Sequence, residues 1–197
     1  MIGTLSGGIL VTTLFSIVQV MLDKKRYDEI DKYNKLKVKK IIDQRDDKSY
    51  YENLISNCTH KLHIMGVSCN RFIADFADPE SRDHVLIDIL KRNTELNVKF
   101  LVANYEHAPT DIQNNFHEIK RKMEELKKQY PEQFDYKYYN HNPSHSYFRI
   151  DSDVLVGPHF EKISSKNSPA IHLDINSSYV SKYISYFDDE WELAKHG

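Results

Sequence analysis

The first 22 residues, Met1 to Leu22, include no charged side chain, and Asp23-Lys24-Lys25-Arg26 follows at once. The chain therefore passes abruptly from a stretch that avoids water to one that seeks it. At a rise of about 1.5 Å per residue a helix of that length is roughly 33 Å long, enough to cross a hydrocarbon core of about 30 Å once. A cleaved secretory signal fits less well, because no basic residue precedes the apolar run and no small-x-small site lies near Val18 to Leu22. A buried core helix fits less well too, since the run is apolar around its whole circumference. Lys24, Lys25, Arg26, Lys32, Lys35, Lys37, Lys39, Lys40 and Arg45 all follow it. Positive-inside then predicts an inner (cytoplasmic) membrane protein with one transmembrane helix (1–22) and its C-terminal part in the cytoplasm.

From Asp23 to about residue 49 the apolar content is thin (Tyr27, Ile30, Tyr33, Leu36, Val38, Ile41) and Pro and Gly are absent, which predicts a charged helical stalk. Beyond it the period changes repeatedly. Tyr50, Leu54, Ile55 and Cys58 suit a short helix, and Leu62 to Val67 a strand. Asp78-Pro79 reads as a helix start leading into Val85, Leu86, Ile89 and Leu90. Asn97 to Ala103 is a second strand. Ile112, Phe116, Ile119, Met123 and Leu126 predict one long amphipathic helix stopping at Pro131. Apolar-alternating pieces follow at 135–140, 147–156 and 170–175. A final helix carries Val180, Ile184, Phe187 and Trp191 on one face. The order β-α-β-α-β-β-β-α predicts an α/β sandwich with a mixed sheet over residues 50–197, large enough for one core.

Composition narrows the class. Mean hydropathy is −0.61 despite the apolar start, so the remainder faces water. A net charge of −2 carries no nucleic-acid signature. Cys58 and Cys69 form no CxxC and read as reduced thiols of a cytosolic domain. Within the expected anchor Gly3 and Gly7 form GxxxG, and Gly8, Thr12, Ser16 and Gln19 share one stripe, a seam on which membrane helices associate. The lysines beyond it mark topology and can also hold anionic lipid. His60 and His63 would point to opposite faces of a strand, and His141 and His145 sit in a Pro-containing turn without a third ligand, so no metal is expected.

The stretch Tyr138-Tyr139-Asn140-His141-Asn142-Pro143-Ser144-His145-Ser146-Tyr147-Phe148-Arg149-Ile150-Asp151-Ser152-Asp153-Val154-Leu155-Val156-Gly157-Pro158, then 168–173 and 186–191, resembles phospholipase D-like domains. The likeness is closest to compact bacterial members that lack the full catalytic signature. Ile64 to Ser68 and Val98 to Val102 fit its first two strands. The resemblance implies HxKxxxxD as the catalytic pattern, in which one imidazole attacks phosphorus, a lysine neutralises the phosphate oxygens, and a second imidazole protonates the leaving oxygen. With His145 in the histidine position, the lysine position holds Tyr147 and the acid position Ser152. Asp151 comes one residue too early.

The resemblance therefore implies a catalytically degenerate domain. It places Ser68, Asn70, Asn104, Tyr147, Arg149, His159, Lys162 and His172 around a cleft for a phosphate-bearing ligand, such as a nucleotide or other phosphorylated small molecule, with no cofactor. Family sites combine two copies of the motif and this chain has room for one, which implies a homodimer. A sensor or membrane-acting effector, of anti-phage or toxin type, follows by analogy. The alternatives are a membrane-tethered phosphodiesterase using His145, and a structural adaptor.

Overall fold

The computed structural model describes residues 3–78 and 84–196, with side chains from residue 13 onward. Two compact units divide at Lys37. The first holds helix α1 (Gly3–Leu36), which runs unbroken across the charge boundary at Asp23. Along it Gln19 donates to the Asp23 carboxylate at 3.2 Å, and Lys35 pairs with Asp31 one turn back at 2.8 Å. No helix among the described residues is long and apolar enough to cross a membrane. Of the expected span, the side chains of residues 1–12, seam residues Gly3, Gly7, Gly8 and Thr12 among them, lie outside the described residues, while those of Ser16 and Gln19 lie within them.

The stalk is shorter than the sequence suggests. Lys37 takes a left-handed backbone (φ 46°) and ends the helix. Val38–Ile42 (β1), rich in β-branched residues that favour strands, then pairs antiparallel with Ala170–Asp174 (β7). The second unit thus begins at Val38, not Tyr50. Charge masked the strand, because β1 is an edge strand whose side chains are mostly exposed.

The other elements are α2 (Lys48–Ser56), β2 (Lys61–Gly66), α3 (Asn70–Phe76), α4 (Val85–Arg92), β3 (Asn97–Ala103), α5 (Thr110–Gln113), α6 (Phe116–Gln129), β4 (Phe134–Tyr139), β5 (His145–Ile150), β6 (Asp153–Pro158) and α7 (Val180–Leu193). Asp47 caps α2, its carboxylate accepting from the Tyr50 N–H at 3.0 Å. The expected helix 112–130 breaks at Asn114-Asn115 into α5 and α6. The piece 147–156 is really a hairpin of β5 and β6, turned at Asp151 with φ 49°. Of the expected Asp78-Pro79 start, Pro79 lies outside the described residues, and α4 begins only at Val85.

Seven strands form one mixed sheet in the order β1-β7-β6-β5-β2-β3-β4, with β2, β3 and β4 parallel and the rest antiparallel. Alternation along each strand gives two faces. Leu62, Ile64, Val98, Phe100, Phe134, Phe148 and Leu155 pack under α2, α3, α4 and α6. Met65, Leu101, Tyr139, Tyr147, Val154 and Leu173 pack under α7, through Val180, Phe187 and Trp191. Each of those two buried aromatics contributes about 2–3 kcal/mol. Gly157 lets β6 pass close to β7, since a Cβ there would lie 2.4 Å from the Pro169 carbonyl oxygen.

Candidate functional site

β5 carries the motif. In its register His145, Tyr147 and Arg149 point to the α7 face, while Ser146, Phe148 and Ile150 point to the opposite one. His145 opens the strand. Its Nδ1 lies 2.8 Å from the Ser144 hydroxyl, its ring meets Tyr183 and Tyr186 with centroids 5.2 and 5.1 Å away, and its buried Nε2 has no hydrogen-bond partner. Burial, helped by nearby His141, lowers its pKa and favours the neutral ring. Beside it His141 Nε2 lies 3.1 Å from Glu190 and 3.3 Å from the Tyr186 hydroxyl.

Tyr147, in the lysine position, is 1% exposed and stacks on Phe187 at 5.2 Å. Its hydroxyl is buried without a hydrogen-bond partner, and burial raises its pKa far enough to keep it neutral. That slot is thus filled by an uncharged ring locked into the core. The acid position is equally altered. Ser152 lies in the hairpin turn, and Asp151 faces away from the motif, accepting from the N–H groups of Thr59, His60 and Lys61 at 2.7–2.9 Å and from the Thr59 hydroxyl. Burial would raise its pKa, but those donors outweigh it and hold the carboxyl below its usual range. Arg149 donates to the Asp151 carbonyl at 3.1 Å, at the end of β5 remote from His145.

Where β2 and β6 end and β5 begins, a cleft of about 550 Å3 opens between α3 and the segment after β6. Its floor is aromatic: Phe72 meets Phe148 at 5.6 Å, and Tyr51 meets Phe148 at 5.8 Å. Arg45 reaches in from the segment after β1. It bonds the Ser146 hydroxyl and the Ser168 carbonyl, the latter at 3.3 Å. Burial lowers its pKa, and Arg71 nearby adds to that, though a guanidinium stays charged at neutral pH. Arg71 is held by Asp46 and Asp75 at 3.0 and 3.3 Å. The His159 pKa is lowered by burial, with Arg45 reinforcing and Glu161 opposing. Burial pushes the Tyr51 hydroxyl up to about 12.

Of the residues singled out from the sequence, Ser68, Asn70, His145, Tyr147, His159 and Lys162 line this cleft. Asn104 instead accepts from the Tyr105 N–H at 2.7 Å as a turn cap. Arg149 lies elsewhere. His172 is buried between elements, its Nδ1 bonded to the Tyr50 hydroxyl and its Nε2 2.6 Å from Asp153, which Lys39 also grips at 2.6 Å. That network pins β1 and α2 to the sheet. Arg45 is hidden in the sequence because it follows the run of basic residues expected to form the stalk. The helix cap at Asp47 two residues later was the signal that the stalk had already ended. Among the described residues no group of three metal-ligating side chains could hold an ion.

No family model matches the chain, and no curated protein matches it significantly. Solved structures do. The archaeal chromatin protein TrmBL2, whose structure shows a novel mode of DNA binding, aligns with TM-score 0.55 and 11% identity over 98% of this chain and 69% of that one. NucT from Helicobacter pylori aligns at 0.52 and 15%, over 80% and 98%. Phosphatidylserine synthase from Haemophilus influenzae aligns at 0.51 and 13%, over 76% of this chain and 36% of the enzyme. NucT and the synthase are phospholipase D-family proteins. The domain has the phospholipase D-like fold. At these identities the likeness establishes architecture alone, and a chromatin protein and a lipid synthase sharing it show how little the fold decides about activity.

Proposed function

We propose that the chain is a membrane-tethered, non-hydrolytic binding protein that takes a phosphate-bearing small molecule in its phospholipase D-like domain and acts as a sensor or effector at the inner membrane. One observation carries the non-hydrolytic part: Tyr147 occupies the motif's cation position and is buried against Phe187. Charge developing on a phosphoryl group is stabilised best by a cation or by donors preorganised around it; the Tyr147 ring brings no positive charge, and its one donor, the hydroxyl, is enclosed in the core. Supporting the tether, the described apolar side chains of α1 before Asp23 are open to their surroundings, from Val18 at 47% to Phe15 at 71%, and basic residues follow. A helical self-association through the anchor would bring two domains together as a homodimer.

The test is thermal unfolding of the full chain, held in detergent, against inorganic phosphate and a panel of nucleoside phosphates. A ligand present at 100 times its dissociation constant stabilises by about 2.7 kcal/mol. No shift with any of them favours a structural adaptor instead. A phosphodiesterase remains the rival reading on one observation, the unpartnered neutral Nε2 of His145, which is in the protonation state a nucleophile needs.

A further inference from the structure

The cleft at the end of β2, β5 and β6 is lined by the carboxylates Asp75, Asp111 and Glu161, yet it holds a guanidinium that pairs with none of them. Among the described residues Arg45 has no carboxylate within ion-pair distance, and its bonds go to two neutral oxygens, the Ser146 hydroxyl and the Ser168 carbonyl. Its neighbour Arg71 shows the contrast, with both Asp46 and Asp75 in reach. Arg45 is half-buried, and a cation partly withdrawn from water costs free energy that an anion offsets best. Neutral oxygens repay that cost only in part, so an anion is the natural complement. The rest of the cleft describes the anion's carrier: an aromatic floor of Tyr51, Phe72 and Phe148 and a volume of about 550 Å3, within the range of small-molecule sites.

We propose that this cleft is a nucleoside-phosphate site, with the phosphate on Arg45 between Ser146 and His159 and the planar base against the floor of Tyr51, Phe72 and Phe148. The assignment rests on the binding reading above and gives it a location, in the cleft between α3 and the segment after β6. A guanidinium presents a planar fork of donors suited to phosphate oxygens, and Ser146 already orients it. His159, whose backbone N–H is fixed on the Ser144 carbonyl at 3.0 Å, becomes a second donor when protonated. Lys162, exposed on the segment after β6, adds a positive charge to the cleft lining.

Calorimetry on the full chain in detergent would compare AMP, adenosine, inorganic phosphate and glycerol 3-phosphate, the last standing in for a lipid headgroup. AMP should bind at least tenfold more tightly than the other three. Arg45→Met should weaken AMP about 10- to 100-fold, the range for losing a charge-assisted hydrogen bond, and Lys162→Ala less. Because Arg45 also bonds Ser146 and Ser168, a second readout protects against misfolding. In the wild type, AMP should raise the His159 pKa in an NMR titration, since its phosphate adds to Glu161 and offsets Arg45. AMP binding that Arg45→Met leaves unchanged, or an unmoved His159, overturns this site while leaving the binding reading intact. Equal affinity for inorganic phosphate or glycerol 3-phosphate overturns the nucleoside assignment. Binding of none of the four overturns both.

Discussion

His63 offers the sharpest stability test. It lies on β2, 5% exposed, with its ring stacked on Phe187 at 5.2 Å and 19°. Its Nε2 sits 3.0 Å from the Asn97 side-chain oxygen and so donates, which leaves Nδ1 buried as a bare acceptor with no partner. Burial, with Lys99, Arg149 and Lys61 nearby, pushes the pKa down to about 4. The unfolded chain therefore binds a proton that the folded one refuses between about pH 6.5 and 4. Stability is complete at pH 7, declines as pH falls through that window, and levels off below it. A depression from 6.5 to about 4 corresponds to about 3 kcal/mol at 1.36 kcal/mol per pKa unit. His145, His159 and His172 are lowered as well and act in the same direction, so the measure is a difference. Urea unfolding of wild type and His63→Phe at pH 7, 5.5 and 4 should show the variant's relative stability improving by about 3 kcal/mol across the series. Parallel pH profiles for the two proteins would refute the argument.

Three further outcomes follow from particular contacts. Tyr147→Lys places an ammonium against Phe187 in a 1% exposed position, and thermal unfolding should show a loss of about 3 kcal/mol or more without any gain in phosphodiester cleavage. Asp151→Ala removes the acceptor for the Thr59, His60 and Lys61 N–H groups and should cost about 1–3 kcal/mol in urea unfolding. The same carboxylate, with its folded pKa held low, should contribute stability above its unfolded pKa that is lost as pH falls, a loss absent in the variant. Gly157→Ala drives a methyl to 2.4 Å from the Pro169 carbonyl and should lower stability by about 1–3 kcal/mol.

Hydrophobic pattern reveals the elements that sit deepest, β2 and β3 as short apolar runs buried on both faces and α7 as a one-sided stripe. Strands β2 and β3 and helix α7 show their inward faces directly in the order of Leu, Ile, Val, Phe and Trp. Three features were hidden by physics that hydrophobic pattern does not record. β1 is an edge strand, and exposed lysines on an edge look like the surface of a helix. The β5–β6 hairpin turns on a left-handed aspartate in Asp151-Ser152-Asp153, a turn signal that a run read as one alternating piece passes over. The gap between α5 and α6 comes from two asparagines within an otherwise continuous helical stripe. At the site, the missing lysine was legible because a motif names its positions, and the burial of Tyr147 gave that absence a packing reason. Arg45 was illegible for the opposite reason: its setting is made by Ser146 and Ser168, more than a hundred residues away along the chain.

The central claim is that a neutral ring stands where phosphodiester cleavage needs a charge. Turnover of bis-p-nitrophenyl phosphate by the full chain, beside His145→Ala, tests it most directly. The account predicts that both proteins match the buffer rate at every pH from 5 to 9. A wild-type rate clearly above buffer that disappears in His145→Ala would contradict it.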